Sequence, residues 1–172
     1  MNNIMIILIA VLSCVYCNEN EKILYTAKFK NVKAGSAVLE TTSNLNNTFI
    51  EIYFSLRTRK VIDVLYKLRD NINIQIYSND YSLKNIKKIS QQGRHKKIDE
   101  AKFDYENNIL EYNNKFSPIN NRVYDPLSII AYLRNKVLYI EKKFNFDIYS
   151  KGKIKKINLE VLKDEIITIK NK

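Results

Sequence analysis

"DPLSIIAYLR", residues 125–134, decides the fold. Asp125 suits an N-cap, because its side-chain oxygen can accept from the orphan N–H groups of a first helical turn. Pro126 suits the position after it, where a missing N–H costs nothing. Leu127, Ile130 and Ala131 form one stripe, and Ile129, Leu133 and Val137 form another. Polar residues are thin until Arg134, Asn135 and Lys136. A helix apolar on nearly every side must be buried on most of them. Its surroundings read as strand, so the concave side of a curved sheet is the place for it. Each large side chain buried there contributes about 1.5–3 kcal/mol.

Working outward, the chain alternates with period two. Ile23, Tyr25, Ala27 and Phe29 oppose Leu24, Thr26, Lys28 and Lys30. "KAGS" reads as a turn, with Gly35 taking positive φ, and "AVLETT" runs back. In "TFIEIYFSLRTR", Ile50, Ile52, Phe54 and Leu56 share one face, with Tyr53 and Ser55 on the other. "KVIDVLYKLRD" breaks the rhythm. Its Val61, Val64, Leu65 and Leu68 fall at helical spacing and predict a short helix over 60–68. "NINIQIYS" returns to alternation. Residues 83–112 read as long strands with a hairpin near Glu106–Asn108 and one wet face, and "NNKFSPINNRVY" reads as a loop. After the helix, "KFNFDIYSKGKIKKINLEVL" is a hairpin and "DEIITIKNK" a last short strand. The expected fold is mainly β: an antiparallel, strongly curved sheet or open β-barrel of about nine strands with one buried helix. Residues 18–172 form a single domain.

Residues 1–17, "MNNIMIILIAVLSCVYC", read as a secretory signal peptide. The uncharged run from Ile4 to Val15 is shorter than the ~20 residues that span a bilayer. Two endings stand open. "VLSC" has the shape of a bacterial lipoprotein box, which makes Cys14 a candidate lipidation site; the alternative is ordinary cleavage after Cys17. The expectation is an exported, periplasmic protein, either soluble or membrane-anchored through Cys14. Both cysteines lie in this leader, so the mature part has no internal disulfide or thiolate metal site.

Lys and Arg number 29 against 18 Asp and Glu, a formal charge of +11. Such an excess suits an anionic partner such as lipid or lipopolysaccharide. It also follows from a composition crowded with Asn, Ile and Lys. Export argues against nucleic acid. "KNIKK", "GRHKKIDEAK" and "KGKIKK" interleave Lys with Ile, which serves a solvated sheet face or peripheral association with anionic lipid.

Chemistry is sparse. The single histidine, His95, is flanked by Arg94, Lys96 and Lys97, a setting that disfavours both imidazolium and a bound cation. Asp63, Asp70, Asp99, Asp104 and Asp125 show neither paired-acid nor metal-loop spacing. Asp70 is a candidate ion-pair partner for Arg57 or Arg59. Ser128 follows no nucleophile-elbow pattern, and there is no Gly-rich phosphate loop. No catalytic residue, metal or cofactor is expected. The twelve tyrosines suit core edges, and equally the walls of an apolar ligand site.

With these pieces in order, the chain resembles domain of unknown function 3108, a family of exported bacterial β-rich proteins. The resemblance rests on "YTAKFKNVKAGSAVLE", "LYKLRD", "QQGRHKKIDEAKFDYENN", "DPLSIIAYLRNK" and "YSKGKIKKINLEVLKDEII", across residues 22–168. It implies an envelope-associated open barrel or curved sheet with no established reaction. It marks Gly35, Asp70, Gly93, Arg94, Asp125, Pro126, Ser128 and Arg134 as motif positions without roles. Members of the family usually continue with further strands, so an open sheet edge is expected here. The functional expectation is a non-enzymatic protein binding an apolar or amphiphilic ligand, a lipid or lipoprotein acyl chain, in a curved-sheet cavity. The alternative is a structural module that pairs with another envelope protein through its open edge.

Overall fold

The computed structural model describes residues 20–29, 32–43, 46 and 48–163. The expected leader with Cys14, and the strand expected in "DEIITIKNK", lie outside the described residues. The element order is β1 (Asn20–Phe29), β2 (Val32–Ser43), β3 (Phe49–Thr58), α1 (Lys60–Asp63), β4 (Leu68–Tyr77), β5 (Leu83–Gln92), β6 (His95–Asp104), β7 (Ile109–Tyr112), β8 (Lys115–Pro118), β9 (Val123–Tyr124), α2 (Pro126–Arg134), β10 (Lys143–Ser150) and β11 (Lys153–Glu160). Among the described residues, strands β1 to β8 form one antiparallel sheet in sequence order that stays open, with β1 and β8 at its edges. This is the mainly β, open architecture that the alternation predicts.

Register sorts the faces. Side chains of directly paired residues share a face, so the pairings draw rows across the sheet. One row runs Thr41, Ile52, Ile74, Ile86, Ala101, Tyr112, and Ile50 and Ile76 pair beside it. These residues, with Leu83, Phe103 and Leu110, make the core. The opposite face carries polar ladders, including Lys22–Glu40 at 2.6 Å and Lys87–Glu100 at 3.1 Å. It is the wet face expected from the Lys and Glu spacing.

The sequence 125–134 is the helix it announces. Leu127 N–H donates to Asp125 Oδ1 at 2.8 Å, and Asp125 N–H donates to Ser128 Oγ at 2.9 Å, closing a capping box with Pro126 in the first turn. Ser128 and Ile129 are buried, and Leu127 and Ala131 pack against the core. Tyr132 joins the helix to the second sheet through Phe146, ring centroids 5.5 Å apart.

Three expectations are corrected. Gly35 is not in a turn: it lies within β2, opposite Thr58 of β3. The segment 113–124 is no plain loop. Asn113 and Asn114 both take positive φ, 48° and 59°, which makes a two-residue hairpin between β7 and β8. Its last two residues, β9, pair in parallel with β10, so a three-stranded sheet β11-β10-β9 stands beside the large one. The helix expected over 60–68 is one turn, and Val61, Val64 and Leu65 point to water at 80%, 86% and 84% exposure. An apolar stripe three residues deep finds no wall to pack on at the tip of a hairpin.

Candidate functional site

The inner face changes character between its rows. Beside the buried core row runs Ile23, Leu39, Phe54, Ile72, Lys88, Asp99, and beyond it Tyr25, Ala37, Leu56, Asp70, Ser90, Lys97. On β1 to β3, and at Ile72 of β4, these positions are apolar, and Ile23, Tyr25, Leu39, Phe54, Leu56 and Ile72 are only half-buried. On β4 to β6 they are polar or charged. α2 crosses this face. Its C-terminal Arg134 clamps Glu21 of β1 through two hydrogen bonds of 2.6 and 2.8 Å, and holds that carboxyl below its ordinary pKa. At its other end Asp125 feels the charge of Lys88 on β5. Ile130 and Leu133 of the helix are also half-buried. The result is an amphiphilic trough, apolar along β1–β4 and charged along β4–β6.

Asp70 sits where the two halves meet. One carboxylate oxygen, Oδ1, is buried with no hydrogen-bond partner. An unsatisfied buried oxygen is costly and calls for a reason. The expected pair with Arg57 does not form, because Arg57 pairs in register with Ser36 and Arg69 and so faces the other side. On the neighbouring loop it is Asp63 that pairs with an arginine. It is held by Arg69 and by the Thr58 hydroxyl, and both lower its pKa.

At the far wall of the trough Asp99 is buried, and the Tyr149 hydroxyl from β10 donates to its Oδ1. Burial and the neighbouring carboxylate drive the Tyr149 pKa upward, so the phenol stays a donor. Lys97 lies 3.8 Å from the other Asp99 oxygen. Tyr149→Phe is expected to cost about 2 kcal/mol, because it strands a buried carboxylate. Urea unfolding measures this, and an unchanged midpoint would mean that the bond carries no stability.

The motif positions divide accordingly. Asp125, Pro126 and Ser128 build the cap, and Arg134 ties the helix to β1. Gly35 permits close strand approach, and Gly93 turns the chain at φ 61°. Arg94 and His95 are exposed beside that turn. Asp70 alone faces the trough. Three solvent-open clefts, of about 630, 630 and 400 Å³, lie elsewhere. Their linings are mixed, with Asn121, Asp147 and Lys156 beside Tyr124 and Phe146 in the first, and Lys84, Lys102 and Glu111 beside Tyr77, Phe103 and Phe116 in the second. Sequence reading missed the trough as a unit. The signal was parity: Asp70 stands two residues before Ile72 and four before Ile74, hence on the core side.

The geometry defines an open β-sheet protein with its longer helix, α2, laid across the inner face. The chain belongs to the family described as protein of unknown function (DUF3108), whose family model matches residues 24–172. No curated protein and no solved structure matches it.

Proposed function

We propose that this chain is an exported, non-enzymatic envelope protein that binds an amphiphilic ligand, a lipid or lipoprotein acyl chain, in the trough between β1–β6 and α2. One observation carries the reading: Phe54, Leu56 and Ile72 on the inner face, and Ile130 and Leu133 on the helix that crosses it, remain half-buried, and the same face carries a buried, unpartnered Asp70 oxygen. An acyl chain would cover the apolar rows. A headgroup donor, hydroxyl or ammonium, would satisfy Asp70. The core below α2 is filled by Ile76, Leu83, Leu110 and Val123, each at most 1% exposed, so the helix acts as a wall and the ligand space lies between half-covered rows.

Lipid co-purifying after native extraction, identified by mass spectrometry, is the expected result. Delipidated protein should gain about 2.7 kcal/mol of stability at a lipid concentration a hundred times Kd. Leu56→Asp should abolish that gain. No bound lipid, together with no shift on adding it, rejects the carrier. One dominant cross-linked envelope protein would then favour the edge reading, for which ten-residue β1 has a partner on only one side among the described residues.

A further inference from the structure

At the end of the large sheet where β3 turns into β4, the chain displays what a folding chain normally hides. Val61, Val64 and Leu65 are 80–86% exposed, and Tyr66 beside them is 53% exposed. The tip is braced from within. Thr58 Oγ1 accepts from Leu68 N–H at 3.0 Å and from Arg69 Nη1 at 2.9 Å, and its hydroxyl donates to Asp63. Ile62 turns inward and is half-buried. Neighbouring turns pack alongside: Arg59 N–H donates to Ala34 O at 2.9 Å, and Gly93 N–H to Lys67 O at 2.7 Å. These contacts gather cations around the aliphatic tip. Arg59, Lys60 and Lys67 come from the loop itself, Lys33 from the β1–β2 side, and Arg94 and Lys96 from the β5–β6 turn. The single acid of residues 59–67, Asp63, is taken by Arg69.

We infer that this end of the sheet is a docking tip for an anionic phospholipid bilayer, with Val61, Val64 and Leu65 entering the acyl boundary and the surrounding Lys and Arg meeting phosphates. Charge complementarity selects the occupant. A convex, one-turn aliphatic projection ringed by cations has no groove for a protein segment, and its aliphatic side chains offer nothing to a nucleic acid. It does match the interfacial pattern of apolar side chains below and basic side chains at the headgroups. The tip is independent of the trough, and neither proposal needs the other.

The test is co-sedimentation of the full chain with phosphatidylcholine vesicles, with and without about a third phosphatidylglycerol. The wild type should partition at least about ten-fold more strongly onto the anionic vesicles, an advantage that falls with salt. The triple change Val61→Ser, Val64→Ser, Leu65→Ser should reduce that partition about ten-fold, as should Arg59→Glu with Lys60→Glu. Both variants should keep the wild-type urea midpoint, because the side chains are exposed. The leader is present in every protein compared, so it cancels from the difference. Leu56→Asp, which disables the trough, should leave partition unchanged. Serine variants that bind like wild type overturn the tip. So does a loss confined to the glutamate variant, which would mark general polyanion adsorption of the kind nucleic acid also gives.

Discussion

Replacing Gly35 with alanine is expected to lower the unfolding free energy by about 3 kcal/mol. An added Cβ would stand 2.5 Å from the Arg57 carbonyl oxygen and 3.3 Å from Thr58 Cα, both backbone atoms of β3. A side chain in that position could rotate aside; a carbonyl in a ladder cannot without breaking pairing. Gly35 lies between Ala27 of β1 and Thr58 of β3, next to the irregularity where register shifts after Ala27. Its neighbour Ala34 accepts the hydrogen bond from Arg59 that seats the α1 loop, so strain at 35 would reach the docking tip. Gly93 is the control. It has positive φ, 61°, with open space around its Cβ, so Gly93→Asn should be nearly neutral, because Asn tolerates that conformation. Urea denaturation with unchanged m separates the two cases. A Gly35→Ala protein with the wild-type midpoint would mean that β2 and β3 are not as close as described.

How much of this was legible depends on the range of each signal. The cap, the proline and the apolar helix are local, and "DPLS" carries them in four residues. The capping box needed only the recognition that Ser128 can serve at the third position. Alternation placed Ile50, Ile52, Ile72, Ile74 and Ile76 correctly, because a buried face fixes strand parity. The same parity sends Asp70 inward and Arg57 outward, so the pattern itself excludes an ion pair between them. Other features had no local cause. β9 is two residues long and is strand only because β10, more than twenty residues later, lies alongside. Helical spacing at 61, 64 and 65 was real, but spacing states a periodicity and not which side faces water. Gly35 looked like a turn residue because glycine permits turns; what it supplies is the absence of a side chain where two backbones meet. The trough itself joins six strands and a helix, and no stretch of sequence contains it.

The second large effect is a pH dependence set by one carboxyl. Asp125 is buried beneath the start of α2, and loss of water pushes its pKa from 3.8 up to about 6, against the opposing influences of the Leu127 N–H, the Lys88 charge and the Ser128 backbone. Between those two values the native chain holds a proton that the unfolded chain has released. The stability contributed by the neutral form is therefore full below about pH 4 and is lost as pH rises through about 6. A gap of two pKa units corresponds to about 3 kcal/mol. Other acids act in the opposite sense: Glu21, Asp63 and Asp104 have lowered pKa values, and their contribution fades as pH falls. The raw profile sums both, so the informative quantity is a difference. Asp125→Asn keeps an oxygen for the Leu127 N–H and removes the charge. Wild-type stability minus that of the Asn variant should fall by up to about 3 kcal/mol between about pH 4 and pH 7, then level off. Asp125→Ala should lose the same slope and a further ~1 kcal/mol at every pH, because nothing replaces the cap. A flat difference between wild type and Asn would place the Asp125 carboxyl in water, and the helix would then not be seated on the sheet as described.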